Sequence, residues 1–176
     1  MFSNKNRNTI LEQINQSEFD IIVIGGGITG SGIALDAGSR GLNVFLLEKK
    51  DFASGTSSKS TKLIHGGLRY LKGLEFKMVA EVGKEREIVH KNAMHLVYPE
   101  KMLLPIVKNG TLGKLATGVG LWLYDFLAGV KKSQKRIMLN KEQTIAEEPC
   151  LIPENILGGG LYYEYRTNDS RLTLEV

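Results

Sequence analysis

Four residues near the start of the chain have types and spacing that do chemistry together. Gly25, Gly27 and Gly30 form G-x-G-x-x-G in IGGGITGSG, and Glu48 follows further along. In that pattern the first glycine permits a tight turn, the second lets a pyrophosphate approach the backbone, and the third lets a helix pack closely on a strand. The helix start offers N–H groups and a partial positive charge to phosphates. A carboxylate ending the second strand accepts hydrogen bonds from ribose hydroxyls and repels a 2′-phosphate, which disfavours NADP. The four residues therefore point to a grip on the ADP half of a dinucleotide, with FAD and NAD still to be separated.

The separation comes from DFASGTSSKSTKLIHGGLRYLKG at 51 to 73. A simple NAD domain turns straight into its next helix, whereas this stretch has no helical or strand period before Leu63. The hydroxyls of Thr56, Ser57, Ser58, Ser60 and Thr61 suit phosphate or ribityl oxygens, and Gly66 and Gly67 let backbone approach a planar ring. The competing reading is a solvated loop. Arg69, beside two glycines and the hydroxyl of Tyr70, offers the planar fork of donors that a phosphomonoester needs; the alternative is an arginine paired with a structural carboxylate. His65 precedes the glycines, where it can lie near an isoalloxazine, but a lone histidine is more often a satisfied structural group and it is not assigned as a base. His90 and His95 have no acid or cysteine at ligand spacing, so no metal site is expected.

These residues need elements to position them. FDIIVIG at 19 to 25 reads as a parallel strand buried on both faces, and LNVFLLE at 42 to 48 as a second. Between them lies a helix with Ile33, Ala34 and Ala37 on its packing side and Gly41 at its end, completing a βαβ unit. Ile10, Leu11 and Ile14 predict a short helix in the leader. Residues 75 to 94 predict a long one, with Phe76, Val79 and Val82 or Gly83 on one face, Glu87 and Lys91 paired, and the charges forming a solvated face. MLLPIV at 102 to 107, interrupted by Pro105, reads as an edge or irregular strand. Residues 112 to 129 are apolar, but Lys114, Asp125 and four glycines argue against a membrane span. With KKSQKR at 131 to 136 that stretch suits an anionic membrane surface, or equally a core helix followed by a solvated loop. Asn140 and Gln143 predict a capping box for a helix that Pro149 closes, and GGGLYYEYRTND at 158 to 169 a strand leading to a helix capped by Asp169 or Ser170.

The composition is globular, with 176 residues, 42% hydrophobic and 24% charged, and the net charge of +4 suits anionic ligands without approaching a nucleic-acid arm. Cys150 stands alone, which excludes an intrachain disulfide. The first nineteen residues carry no secretory pattern, so a cytoplasmic location is expected.

GGGITGSGIALDAGSRG, GTSSKSTKLIHGGLRYL and EYRTNDSRL together resemble the FAD-dependent glycerol-3-phosphate dehydrogenases, membrane-associated flavoenzymes that pass electrons to quinone. The likeness runs from Phe19 onward, and its most specific part is SSKSTKLIHGGLRYL. It implies an α/β fold, a Rossmann-like FAD-binding domain of the glutathione-reductase/D-amino-acid-oxidase type, incomplete, with the start of a substrate domain. The expected division is a leader at 1–18, the first part of the FAD-binding domain with a helical insertion at 19–157, and a substrate-domain segment at 158–176. The absence of a third parallel strand or later βαβ pattern makes the chain read as an N-terminal fragment. The resemblance implies that Gly25, Gly27, Gly30 and Glu48 bind the ADP moiety, that Thr56, Ser57 and Ser58 lie along the cofactor, and that Arg69 and Tyr70 face the substrate. It implies oxidation of sn-glycerol 3-phosphate to dihydroxyacetone phosphate, with hydride passing from C2 to the flavin, quinone as acceptor, peripheral contact with the inner face of the membrane, and room for a homodimer. An oxidase using oxygen and a non-catalytic nucleotide-binding or membrane-docking module remain as alternatives. No catalytic base is assigned.

Overall fold

The structure, a computed structural model, describes residues 4–176. It forms two compact units: the described residues up to Thr61 together with Asp169–Val176, and Lys62–Asn168.

In the first unit α1 (Arg7–Asn15) realises the leader helix, with Ile10 and Ile14 half-buried. β1 (Ile21–Ile24) and β2 (Val44–Leu47) pair in parallel, from Ile21 opposite Val44 to Ile24 opposite Leu47. α2 (Ile28–Ser39) makes the crossover, and Gly41 at φ +83° ends it while the Leu42 N–H returns to the Ala37 carbonyl at 3.2 Å. α7 (Asp169–Glu175) lies against α2, and Asp169 is its first residue rather than a cap preceding it.

Two burial expectations fail here. α2 buries Gly30, Ser31 and Ala37, whereas Ile33 is 49% exposed. Helix and strand approach along small residues, so a large side chain at 33 points away. β1 is not buried on both faces either, because Ile24 is 84% exposed. α2 covers the face carrying Val23, and the face carrying Ile22 and Ile24 has no cover among the described residues.

The second unit is built around one long strand, β6 (Ile156–Thr167). β4 (Val97–Val107) pairs antiparallel along one edge of it, while β3 (Leu63–Ile64) and β5 (Ile137–Leu139) share the other. β4 is longer than the expected 102 to 107, yet it is an edge strand, as Pro99 and Pro105 require. The expected boundary after residue 157 falls inside β6.

Against this sheet pack α4 (Phe76–Asn92), α5 (Lys114–Leu127) and α6 (Lys141–Glu147), the last opened by the reciprocal Asn140–Gln143 capping box. Val79, Tyr124 and Ala128 form a core cluster, and a Cβ on Gly83 would collide with Ala128, so the two long helices cross almost in backbone contact. The buried face of α4 is Val79, Gly83 and Arg86, with Phe76 exposed. The expectation that the charges of this helix lie on a solvated face is therefore wrong for Arg86, which is 4% exposed because it has a buried carboxylate to meet.

Candidate functional site

The first unit brings the glycines, Glu48 and one hydroxyl of the following loop together. Gly25, at φ +113°, adopts a conformation closed to other side chains, and its N–H donates to the Leu47 carbonyl at 2.8 Å. A Cβ at Gly30 would stand 1.9 Å from the Gly25 carbonyl oxygen, so only glycine lets α2 start this close to the turn. A Cβ at Gly27 would stand 2.9 Å from the Ser57 Oγ, which itself accepts the Ile28 N–H at 2.9 Å. The Ile28 N–H that opens α2 thus already points at an acceptor oxygen, as a phosphate would require.

Glu48 accepts the Gly26 N–H through Oε2 and the Lys50 N–H through Oε1, each at 2.9 Å. These bonds, the one from Gly26 foremost, hold its carboxyl below the usual carboxylate range. The group is ionised at neutral pH, with lone pairs left for ribose hydroxyls. The loop closes over the turn as Ala53, buried at φ +58°, donates its N–H to the Gly26 carbonyl at 2.8 Å, and the Phe52 ring fills the space a Cβ on Gly26 would need. Of the other hydroxyls named from sequence, Thr56 stays exposed, Ser58 is half-buried and Ser60 bonds Asp169.

His65, Arg69 and Tyr70 belong to the second unit. β3 runs into the turn His65–Gly67, and Gly67, at φ +83°, opens α3 (Leu68–Leu71). All three side chains are exposed, and Arg69 makes no ion pair among the described residues, unlike an arginine held by a structural carboxylate. Gly66 also has a part that the sequence does not announce. A Cβ there would collide with Tyr124 Oη and Arg86 Nη1, so the missing side chain is required for packing beneath the turn. His90 is structural, its Nδ1 2.9 Å from the Val97 carbonyl and its ring 4.7 Å from that of Tyr165.

Beneath the turn lies a buried polar cluster. Glu164 Oε2 accepts the Gly66 N–H at 2.8 Å and Arg86 Nη1 at 3.1 Å, while Oε1 accepts the Tyr124 hydroxyl at 3.2 Å. Arg86 Nη1 also donates to Tyr124 Oη at 2.6 Å, and its Cζ lies 4.8 Å from the Tyr165 ring centre. Burial and the neighbouring Glu164 charge push the Tyr124 hydroxyl far up, so it stays protonated. Sequence reasoning missed this cluster. The signal was a lone glutamate inside the aromatic run LYYEYR, where an ionised side chain needs a buried partner.

Comparison with known proteins gives the family of the chain. The model of the FAD dependent oxidoreductase family matches residues 20–176. The chain is 57% identical over 175 residues to the aerobic glycerol-3-phosphate dehydrogenase of Bacillus subtilis (strain 168), covering 99% of this chain and 32% of that protein. It is equally identical to the Staphylococcus aureus (strain USA300) protein of the same name, over 170 residues, 97% of this chain and 30% of that one. The structure superposes on the glycerol-3-phosphate dehydrogenase from Bacillus halodurans complexed with FAD with a TM-score of 0.72 at 45% identity, over 99% of this chain and 27% of that one. The L-alpha-glycerophosphate oxidase of Mycoplasma pneumoniae, at 22% identity and a TM-score of 0.63 over 89% of this chain and 40% of that one, shares the fold. The chain thus spans about a third of the length of the curated relatives it matches. With a family model covering the glycine turn, Glu48 and the Arg69 turn alike, the chain belongs to the FAD dependent oxidoreductase family.

Proposed function

We propose that this chain supplies the ADP-binding turn and part of the substrate grip of a flavoprotein that oxidises sn-glycerol 3-phosphate to dihydroxyacetone phosphate. In this reading the N-terminus of α2 and the bare Gly27 receive the pyrophosphate of FAD, Glu48 holds the ribose, and Thr56, Ser57, Ser58 and His65 lie along the cofactor. The donor-lined turn and the ionised Glu48 fit that group. When bound, the flavin supplies the two-electron acceptor for oxidation of a secondary alcohol. Arg69 forks onto the substrate phosphate, with the Tyr70 hydroxyl as a further donor.

The observation that carries the substrate reading is the exposed, unengaged Arg69 in a chain 57% identical to two aerobic glycerol-3-phosphate dehydrogenases. The test uses a protein of the relatives' length carrying these 176 residues. Its flavin bands should bleach anaerobically on adding glycerol 3-phosphate without NAD. A non-catalytic nucleotide-binding module would leave them unchanged. Reoxidation by a soluble quinone faster than by oxygen supports the dehydrogenase over the oxidase.

The same reading places the protein on the cytoplasmic side, at the membrane where its quinone resides, and admits a homodimer. No helix among the described residues is long and apolar enough to cross a membrane. α5 instead carries an exposed apolar face of Leu115, Val119, Trp122 and Phe126, the last 73% exposed. The basic run after it is weaker than its sequence suggests, because Lys131 pairs with Glu87 and Arg136 with Asp125, leaving Lys132 and Lys135 as its cations without an ion pair among the described residues. Co-sedimentation with phosphatidylglycerol vesicles but not phosphatidylcholine vesicles, lost in Trp122→Glu, is the expected outcome.

A further inference from the structure

The antiparallel ladder between β3 and β6 makes two residue pairs, Leu63 with Arg166 and Ile64 with Tyr165, and then stops. The chain leaves the sheet there to form the turn that carries Arg69. The Gly66 N–H, which loses a backbone partner by that departure, is taken over by the side chain of Glu164, the next residue along β6. From Gly66 the connection to α3 is short, since the Gly67 carbonyl accepts the Tyr70 N–H at 2.8 Å and so fixes the first turn of the helix bearing Arg69 and Tyr70.

Glu164 is 2% exposed and is itself held by Arg86 from α4 and Tyr124 from α5. A buried ion pair of this kind is weak as a source of stability, because desolvating both charges offsets most of their attraction. Here it is also incompletely satisfied, as the buried Arg86 Nε has no hydrogen-bond partner among the described residues. An apolar core would fill the same volume with less cost. What the carboxylate offers that an apolar residue cannot is three acceptances at fixed angles, one of them from the backbone of the turn.

We propose that Glu164 is a positioning residue for Arg69: with Arg86 and Tyr124 it fixes the Gly66–Gly67 backbone and thereby aims the exposed guanidinium at its anionic substrate. The inference rests on the proposed role of Arg69 in gripping a phosphate, and its test separates the two. The measurement is a double-mutant cycle on kcat and KM for glycerol 3-phosphate, in an FAD-loaded protein of the relatives' length carrying Arg69→Lys, Glu164→Gln, or both.

Glu164→Gln alone should raise KM by about tenfold or more while FAD content holds. In the Arg69→Lys background the same change should cost less than about threefold, because the aim of a fork already lost no longer matters. Asp125→Asn, which breaks the buried pair with Arg136 elsewhere in the same unit, controls for destabilisation and should leave KM within about twofold of the parent. Tyr124→Phe, which removes one donor to Glu164 and keeps the ring, enters the same cycle should Glu164→Gln fail to fold, and a smaller, likewise non-additive rise in KM is expected. Additive losses in the cycle, or a KM in Glu164→Gln no higher than in Asp125→Asn, would overturn the positioning role while leaving Arg69 in place. An unchanged KM in Arg69→Lys alone would overturn both and is recognised by that single variant.

Discussion

Two glycines in the same helix, two residues apart, should respond oppositely to the same added methyl group. A Cβ on Gly30 would stand 1.9 Å from the Gly25 carbonyl oxygen, more than an ångström inside ordinary contact, and the obstacle is backbone that cannot rotate away. A Cβ on Gly32 meets nothing within 4 Å. Both substitutions gain the helix preference of alanine over glycine, about 0.5–1 kcal/mol. The difference between the two variants therefore isolates the strain, which for overpacking of this kind is about 1–3 kcal/mol. For a chain of this size that is a gap in Tm of about 2–12 °C, with Gly32→Ala above the parent and Gly30→Ala below it. Thermal unfolding followed by circular dichroism reads the gap, and FAD retained after desalting reads its effect on the turn. Midpoints within a degree of each other, or Gly30→Ala melting above the parent, would refute the claim that α2 rests on the turn through Gly30.

The remaining predictions concern the two grips. Glu48 has a carboxyl held below its ordinary value of 4.5, so its contribution to stability is present above that pH and is lost as pH falls through the lower folded value. Urea midpoints at pH 7 and pH 3 should therefore differ less in Glu48→Gln than in the parent, and an unchanged difference would show the bonds to Gly26 and Lys50 to be idle. Ser57→Ala removes the acceptor from the Ile28 N–H and should weaken FAD retention by about 1 kcal/mol, as loss of a helix cap does, with equal flavin titrations as the contrary result. Arg69→Lys keeps the charge and loses the fork, so kcat/KM for glycerol 3-phosphate should fall by the equivalent of about 1–3 kcal/mol at normal flavin content. Normal kinetics there would remove Arg69 from the substrate site.

Local rules were readable wherever one residue type is forced by its backbone. The turn at Gly25, the helix end at Gly41 and the Asn140–Gln143 box each follow from conformation or from a pair three residues apart, and the structure has all three. Orientation was less readable. The periodicity of α4 put Phe76, Val79 and Val82 or Gly83 on one face, of which Val79 and Gly83 are buried, but treated the charges around them as solvated, because the partner of Arg86 lies 78 residues away in a strand whose pairing no local pattern announces. Separation along the chain likewise hid the packing of Gly66 against Tyr124 and Arg86, which no local pattern announces. Ile33 failed for a related reason: a helix that packs through glycine and alanine inverts the usual rule that its bulky residues face inward.

The Thr167 N–H donates to the Lys62 carbonyl at 2.9 Å, so the second unit begins and ends at neighbouring points, and the first unit resumes with α7. The second unit is thus topologically a guest, entered and left through one doorway in its host. During synthesis α2 must wait for 107 residues, Lys62 to Asn168, before α7 arrives beside it. If the guest folds first, its adjoining ends bring α7 back to the host with little further loss of chain entropy, since joining ends already held together avoids closure of a long free loop. Lengthening or replacing the guest is then tolerable in proportion to how close its two ends stay, whereas cutting its strand β6 would detach α7 from the rest of the host.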